Sequence, residues 1–373
     1  MPVAALRSHA KPRHVTGPLS GLTIIELAGL GPGPFAAMML ADHGADVIRV
    51  ERAGMIGVPN DPLLRNRRSI ALDLKREDHR AVVRHLASGA DGLIEGYRPG
   101  VMERLGLGPD RLRADNSKLV YGRVTGWGQD GPLGAEAGHD INYLALTGLL
   151  HGMGEPDRPP RPPMNLVADY AGGGMMLAFG MVAALLAVQR GAPGQVIDAT
   201  MSDGAALTGA LIYGMKAAGL WNGGRGANLL DGGSPLYGCY RCADDRFLAL
   251  GAIEPQFVAA LLEGLDLPVT ASKADIGRVI ATRTRDEWVE RFAGTDACVA
   301  PVLDMDEAPG HPHNIARGTF AAVGGVVQPM PSPRFSAAAA AMPTPPRHEG
   351  EDGREILAEL GYGASEIDAL GIE

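Results

Sequence analysis

His139, Asp169 and Glu254 are side chains whose types suit proton transfer, and each stands at the expected start of a helical segment. His139 and Asp140 follow a glycine in "GQDGPLGAEAGHDINYLALTG" (128–148) and open a pattern that places Ile141, Leu144 and Gly148 on one face. An imidazole there can act as a base, and the unpaired N–H groups of a helix start can stabilise an oxyanion. Capping or surface hydration accounts for a lone histidine at such a place equally well. Asp169, in "NLVADYAGGGMM", is a lone carboxylate between an apolar strand-like piece and a glycine-rich helix start. It reads either as a plain N-cap or as a base or nucleophile with a shifted pKa. Glu254, in "LGAIEPQF", sits between apolar residues and a proline, where it can simply open the following helix.

A second group is basic. Arg49 and Arg52, then Arg65, Arg67 and Arg68 in "LRNRRS", then Arg98 in "EGYRPG", cluster at successive strand ends in a chain of net charge −9. The guanidinium fork matches phosphate oxygens, so the group reads as a polyanion site, although any single arginine reads as solvated charge. The turn "LAGLGPGPFAA" (27–37) resembles a dinucleotide fingerprint: Gly29 and Gly31 fill its first two positions, and Glu51 follows about twenty residues later at a strand end. Its third position is Pro34, which has no amide proton and fits better as the first residue of a helix. From these residues alone, a nicotinamide site and a tight turn with no ligand both stay open.

Strands are expected at Leu22–Leu27, Asp46–Glu51, Ser69–Leu74, Gly92–Gly96 and Leu119–Gly126, with helices at Phe35–His43, Arg76–Ser88 and near Val101–Leu105. That alternation predicts an α/β fold with a doubly wound parallel sheet, whose ligands sit at the carboxyl ends of the strands. After Gly224 the texture changes. "PLYGCYRCADDRFLALGAIE" reads as an antiparallel hairpin, "PQFVAALLEGL" and "TRDEWVERFA" as amphipathic helices, and "DACVAPVL" as a strand. The expected division is a large Rossmann-like domain over 14–224, a small α+β domain over 225–318, and an extended, proline-spaced return with a C-terminal helix over 319–373.

With 46% apolar and 21% charged residues the composition is that of a soluble globular protein, and the acidity argues against nucleic acid as a partner. The longest apolar stretch, Gly172–Gln189, reads as a buried helix rather than a membrane span. The basic N-terminal segment lacks an apolar core and reads as a frayed leader rather than a signal peptide. Cys239 and Cys242 form a lone C-x-x-C in a hairpin. This cannot close a zinc site and, with Cys298, suggests structural thiols in the cytoplasm; no metal is expected.

Taken in order, "GPLSGLTIIELAGLGPGPFAAMMLADHGADVIRVER", "NRRSIALDLK", "EGYRPGVMERLGLGP", "GRVTGWGQDGP", "AGHDINYLALTG", "NLVADYAGGGMM", "RGANLLDGG", "GAIEPQF", "DACVAPVL" and "REILAELGYGASEIDALG" resemble the class III CoA-transferase family, most closely its branch that racemises α-methylacyl-CoA. The resemblance covers nearly the whole chain from Gly17. It implies that the opening turn, with Gly31 and Gly33, lies near a CoA thioester rather than a nicotinamide. It also implies that Arg49, Arg52, Arg67, Arg68 and Arg98 contact CoA, with Arg52 and Arg98 on phosphate. Racemisation needs a base on each face of an enolate. The resemblance implies His139 for one face, taking the S-side proton, and Asp169 for the other, taking the R-side proton. It further implies that Glu254 supports the imidazole and that the Asp140 N–H holds the enolate oxygen. No cofactor is expected, because CoA is part of the substrate. The rival activity in the family is CoA transfer, with Asp169 as a nucleophile forming a mixed anhydride. Family members form interlocked homodimers, so that Glu254 of one chain would reach His139 of the partner subunit. Met175, Met176, Met181 and Met215 suit either a pliable acyl surface or ordinary core packing.

Overall fold

Short apolar runs that keep no alternation belong in a sheet covered on both faces. The computed structural model describes residues 17–52, 54 and 58–372, and those runs pair in it as one parallel sheet. Its strands are Thr23–Leu27 (β1), Asp46–Glu51 (β2), Arg67–Ala71 (β3), Gly92–Glu95 (β4), Val120–Thr125 (β5) and Val196–Thr200 (β6). Their order is β3-β2-β1-β4-β5-β6, and every neighbouring pair is parallel. Ile24, Ile25, Val47, Ile70, Leu93 and Val120 are wholly buried. The order reverses between β1 and β4, which opens a crevice at the carboxyl ends of the strands. The expected strand over Ser69–Leu74 begins earlier, because Arg67 and Arg68 already pair with Val47 and Ile48. β6 was not anticipated.

One sheet face is covered by Glu77–Gly89, Pro109–Asp115 and the C-terminal helices Gly353–Glu359 and Ala364–Leu370, through Val82, Leu86, Leu112, Ile356 and Ile367. The other face carries Pro32–Asp42 and Met176–Gln189. Met181 presses on the sheet here, and a Cβ on Gly92 or Gly122 would come within 2.6 or 2.7 Å of its side chain. Glycine in these two strands therefore sets how closely the helix can sit. Met181 is thus core, not acyl surface.

The apolar helix differs from its expected form. Leu166–Met175 is π-helical and runs directly into the α-helix Met176–Gln189. Together they are long and apolar enough to cross a membrane, with hydropathy 2.0. Only one side is buried within the chain: Leu177, Met181 and Leu185 face inward, while Phe179 is 74% exposed and Met175, Val182 and Leu186 are exposed with it.

The chain divides into two compact units. One comprises the residues up to Thr147, then Met164–Thr208 and Gly318–Glu373; the other comprises Gly148–Pro163 and Gly209–Arg317. The second unit therefore starts earlier than the expected boundary at 225 and also takes in the separate stretch Gly148–Pro163. Its antiparallel sheet pairs Tyr237–Arg241 (β7), Phe247–Gly251 (β8) and Val299–Val302 (β9) in that order. Leu248, Leu261, Ile276 and Trp288 form its core with flanking helices, one of which, Lys273–Ile280, was not anticipated. Cys239, Cys242 and Cys298 are unpaired. The return segment forms a hairpin, Phe320–Val323 (β10) with Val326–Pro329 (β11), where only extended chain was expected. The leader expected at the N-terminus (1–16) lies outside the described residues.

Candidate active site

The turn after β1 is shaped by Gly31, whose φ of 69° suits a residue without a side chain, and by Pro32, which opens the helix Pro32–Asp42. A Cβ on Gly31 would lie 3.7 Å from a carboxylate oxygen of Asp169. The opening turn and Asp169 are therefore neighbours. A Cβ on Gly33 would meet the Val124 side chain at an ordinary 3.6 Å.

Asp169 does not cap a helix start after a strand. It lies inside the π-helical stretch, a form that is rare and often found at functional sites. The following glycines explain how that stretch is held. A Cβ on Gly204 would sit 1.9 Å from the Gly172 carbonyl oxygen, so this stretch and helix Met201–Thr208 touch backbone to backbone. A Cβ on Gly173 would come within 3.0 Å of the Pro32 ring, and one on Gly174 within 2.7 Å of the Phe35 ring. The "AGGG" run thus wedges Asp169 between two helices.

His139 is exposed and precedes helix Asp140–Leu146; its backbone N–H donates to Asn142 Oδ1 at 3.0 Å. Tyr143 secures the chain before it. Its ring lies over the Cα atoms of Gly126 and Gly138, packs edge-on against Trp127 with centroids 4.7 Å apart, and its hydroxyl donates to the Gly138 carbonyl. Asp140 is the first helical residue, so its N–H belongs to the group that no helix carbonyl can accept. The Asp140 carboxylate accepts the N–H of Ala168 at 2.7 Å and that of Asp169 at 2.8 Å. Burial pushes the Asp169 carboxyl above the ordinary aspartate range; the Asp140 charge adds to this, while the Asn165 side-chain hydrogen bond at 3.2 Å and the charge of His139 oppose it.

Beside these groups lies a cleft of about 250 Å³ at the ends of β4 and β5, lined among others by Arg98, Trp127, His139 and Tyr143. A smaller cavity of about 60 Å³ adjoins it beneath the opening turn, lined among others by Gly33, Gly96 and Met201.

The arginines separate into two kinds. Arg49 and Arg67 share the fully buried Glu26, at 2.9 and 2.7 Å, and Arg49 also meets Glu51. Arg68 lies between Asp46 and Glu359, and Arg65 holds Asp42 and the β11 backbone. These guanidiniums are buried and paired with carboxylates, so they fasten strands together, a second role beside the CoA contact that the resemblance implies for Arg49, Arg67 and Arg68. Arg52 and Arg98 follow β2 and β4, are exposed, and have no ion-pair partner among the described residues. Glu254 is exposed at the start of helix Pro255–Leu265 in the second unit, with no side-chain cap bond. Among the described residues no group of three or more His, Cys, Asp or Glu is placed to hold a metal ion.

Three contributors escaped the sequence reading: Asn165, Tyr143 and the Asp140 carboxylate. Asn165 stands four residues before Asp169, a spacing that brings side chains together on a helix, so a correct helix assignment would have found it.

The sequence matches the family model for CoA-transferase family III over residues 19–352. It is 46% identical to alpha-methylacyl-CoA racemase of Mus musculus over 94% of this chain and 95% of that protein. It is 44% identical to alpha-methylacyl-CoA racemase of Homo sapiens over 94% of this chain and 96% of that protein. The fold is similar to the crystal structure of a CAIB/BAIF family protein from Brucella suis, with TM-score 0.81, 26% identity, and cover of 92% of this chain and 100% of that one.

Proposed function

The chain belongs to CoA-transferase family III, and from that premise we propose that it interconverts the enantiomers of 2-methylacyl-CoA thioesters. The observation that carries this reading is that a histidine and a half-buried aspartate share one site with an unpaired helix N–H, in a chain 46% identical to a racemase over most of its length. A thioester acidifies its α-proton. One base, His139 or Asp169, removes that proton and leaves a planar enolate, whose oxygen is held by the Asp140 N–H. The other residue, protonated beforehand, delivers its proton to the opposite face of the α-carbon. The centre is inverted, and the two side chains have exchanged protonation states; solvent resets them. The elevated pKa of Asp169 favours this cycle, because a carboxyl closer to neutrality both gives and takes a proton readily. We place Glu254 of one chain behind His139 of the partner subunit, with CoA as part of the substrate and no separate cofactor, and the protein in the cytoplasm.

Incubating one pure enantiomer of a 2-methylacyl-CoA in deuterium oxide tests the reading. The expected result is deuterium at the α-carbon together with the opposite enantiomer. An unlabelled, uninverted thioester, with CoA passing to an added carboxylate, would establish instead the anhydride chemistry of Asp169.

Arg52 and Arg98 are assigned to the CoA phosphates because they are the exposed arginines of the cluster. Their contacts are remote from the reacting carbon and bind ground and transition state alike. Alanine at either is expected to raise KM about tenfold at low salt, and less at high ionic strength where screening already weakens the wild-type contact, with kcat little changed. A fall in kcat at constant KM would contradict the assignment.

The exposed stripe of Met175, Phe179, Val182 and Leu186 supports assembly into an interlocked homodimer that covers it. Sedimentation of the full chain should then give twice the monomer mass, and Phe179→Glu should shift it towards monomer. A wild-type monomer at micromolar concentration would rule this out.

A further inference from the structure

We propose that the Asp140 side chain is a positioning group that fastens the Asp169 helix to the helix start carrying His139, and so sets where the two bases stand relative to each other. The inference rests on the two-base reading above. It is separate from the role of the Asp140 backbone N–H, since it concerns the carboxylate and a different segment of chain.

Asp140 is 4% exposed. One carboxylate oxygen accepts two backbone N–H bonds, from Ala168 and Asp169, both short enough to be charge-assisted. The other oxygen is buried with no hydrogen-bond partner among the described residues. A buried carboxylate with an unpartnered oxygen is costly, and a residue kept under such a cost calls for an explanation. The N–H groups it satisfies belong to the opening of the π-helical stretch, where no helix carbonyl is available to them. Asp140 is therefore a cap supplied from another helix. Its backbone follows His139 directly, while its side chain grips the peptide N–H of Asp169 itself. One residue thus links both bases. Its negative charge also acts on the Asp169 carboxyl in the direction that favours protonation.

The test uses Asp140→Ala and Asp140→Asn in the full-length protein. The Asn side chain keeps one oxygen that can accept both N–H bonds but carries no charge; Ala removes the tether altogether. Two readouts are taken. The first is amide hydrogen exchange at Ala168 and Asp169. Asp140→Ala should speed it at least tenfold, while Asp140→Asn should leave it nearly protected. The second is deuterium exchange into each pure enantiomer, measured separately. In Asp140→Ala the Asp169-dependent exchange should fall about 100-fold, the size expected when a catalytic group moves by about 1 Å, and the His139-dependent exchange by much less. In Asp140→Asn the Asp169-dependent exchange should persist, with its pH profile moved to lower pH, because the neighbouring negative charge that raises the Asp169 pKa is gone. Equal losses from both enantiomers in Asp140→Ala, or unchanged protection at Ala168 and Asp169, would overturn the proposal. If Asp140→Ala does not fold, amide exchange in the wild-type protein decides: unprotected N–H groups at Ala168 and Asp169 overturn it. A wild-type protein that labels neither enantiomer would remove the two-base reading instead, and amide protection would still decide whether the tether exists.

Discussion

Replacing His139 by alanine is expected to abolish inversion while leaving exchange from one enantiomer in place, and replacing Asp169 is expected to do the reverse. Inversion needs a proton taken on one face and returned on the other, so either loss stops it. Removing a positioned acid–base group costs about 10²- to 10⁴-fold, and inversion should fall by that amount in both variants. Exchange is different. A single remaining base can remove the α-proton of the enantiomer it faces, exchange with solvent, and return deuterium to the same face. His139→Ala should thus still label the enantiomer served by Asp169, and Asp169→Ala the one served by His139. That residual activity should itself depend on pH. In His139→Ala it should rise as pH climbs through the Asp169 pKa, because only the deprotonated carboxylate is a base, and burial places that rise above the ordinary carboxylate range. Glu254→Gln should weaken the His139-dependent exchange alone and more mildly, since it tunes a base without being one. Equal loss of label from both enantiomers in both single variants, with the protein folded, would point to one base and not two.

Glu26→Gln is expected to lower stability by about 3–5 kcal/mol, the range for removing one partner of a buried ion pair. Glu26 is wholly buried and meets both Arg49 and Arg67, which are themselves 5% and 4% exposed. Neutralising it leaves two guanidiniums inside the sheet with less than the charge they need. Urea denaturation of the full chain measures the effect. The same variant also separates the two roles open to these arginines. If they fasten β1, β2 and β3, stability drops and the KM for the CoA thioester changes little in the protein that remains folded. A CoA-binding role predicts the opposite: a clear change in KM at near-normal stability. Arg98→Ala, at an exposed position, should cost less than about 0.5 kcal/mol.

The arginine cluster shows what could be read from the chain and what could not. A charge within an apolar strand-like run is visible in "TIIEL", "DVIRVE", "GLIE" and "VYGRVT". What it pairs with is not visible until register is known. Glu26 lies beside Arg49 and Glu95 beside Arg123 as direct cross-strand neighbours, the second pair 2.7 Å apart. The presence of opposite charges at matching places in adjacent strands was a signal for internal pairing, and the reading towards phosphate passed over it.

The sequence by itself determined the α/β class, the strand positions of the parallel sheet apart from β6 to within three residues at either end, the family, and the residue types able to move a proton. These are local properties: an unbroken apolar run specifies a buried strand, and an ordered series of motifs specifies a family whatever the contacts between them. The tertiary structure alone decided which arginines remain free, that Asp169 lies within a π-helical turn wedged by glycines, and that Asp140 reaches across to hold it. Each of these depends on groups far apart in the chain. Residues 140 and 169 meet only because helix and sheet packing brings their segments together, and a buried charge takes whichever partner that packing supplies. No spacing along the sequence encodes that choice, because the desolvation that enforces it exists only once the chain is folded.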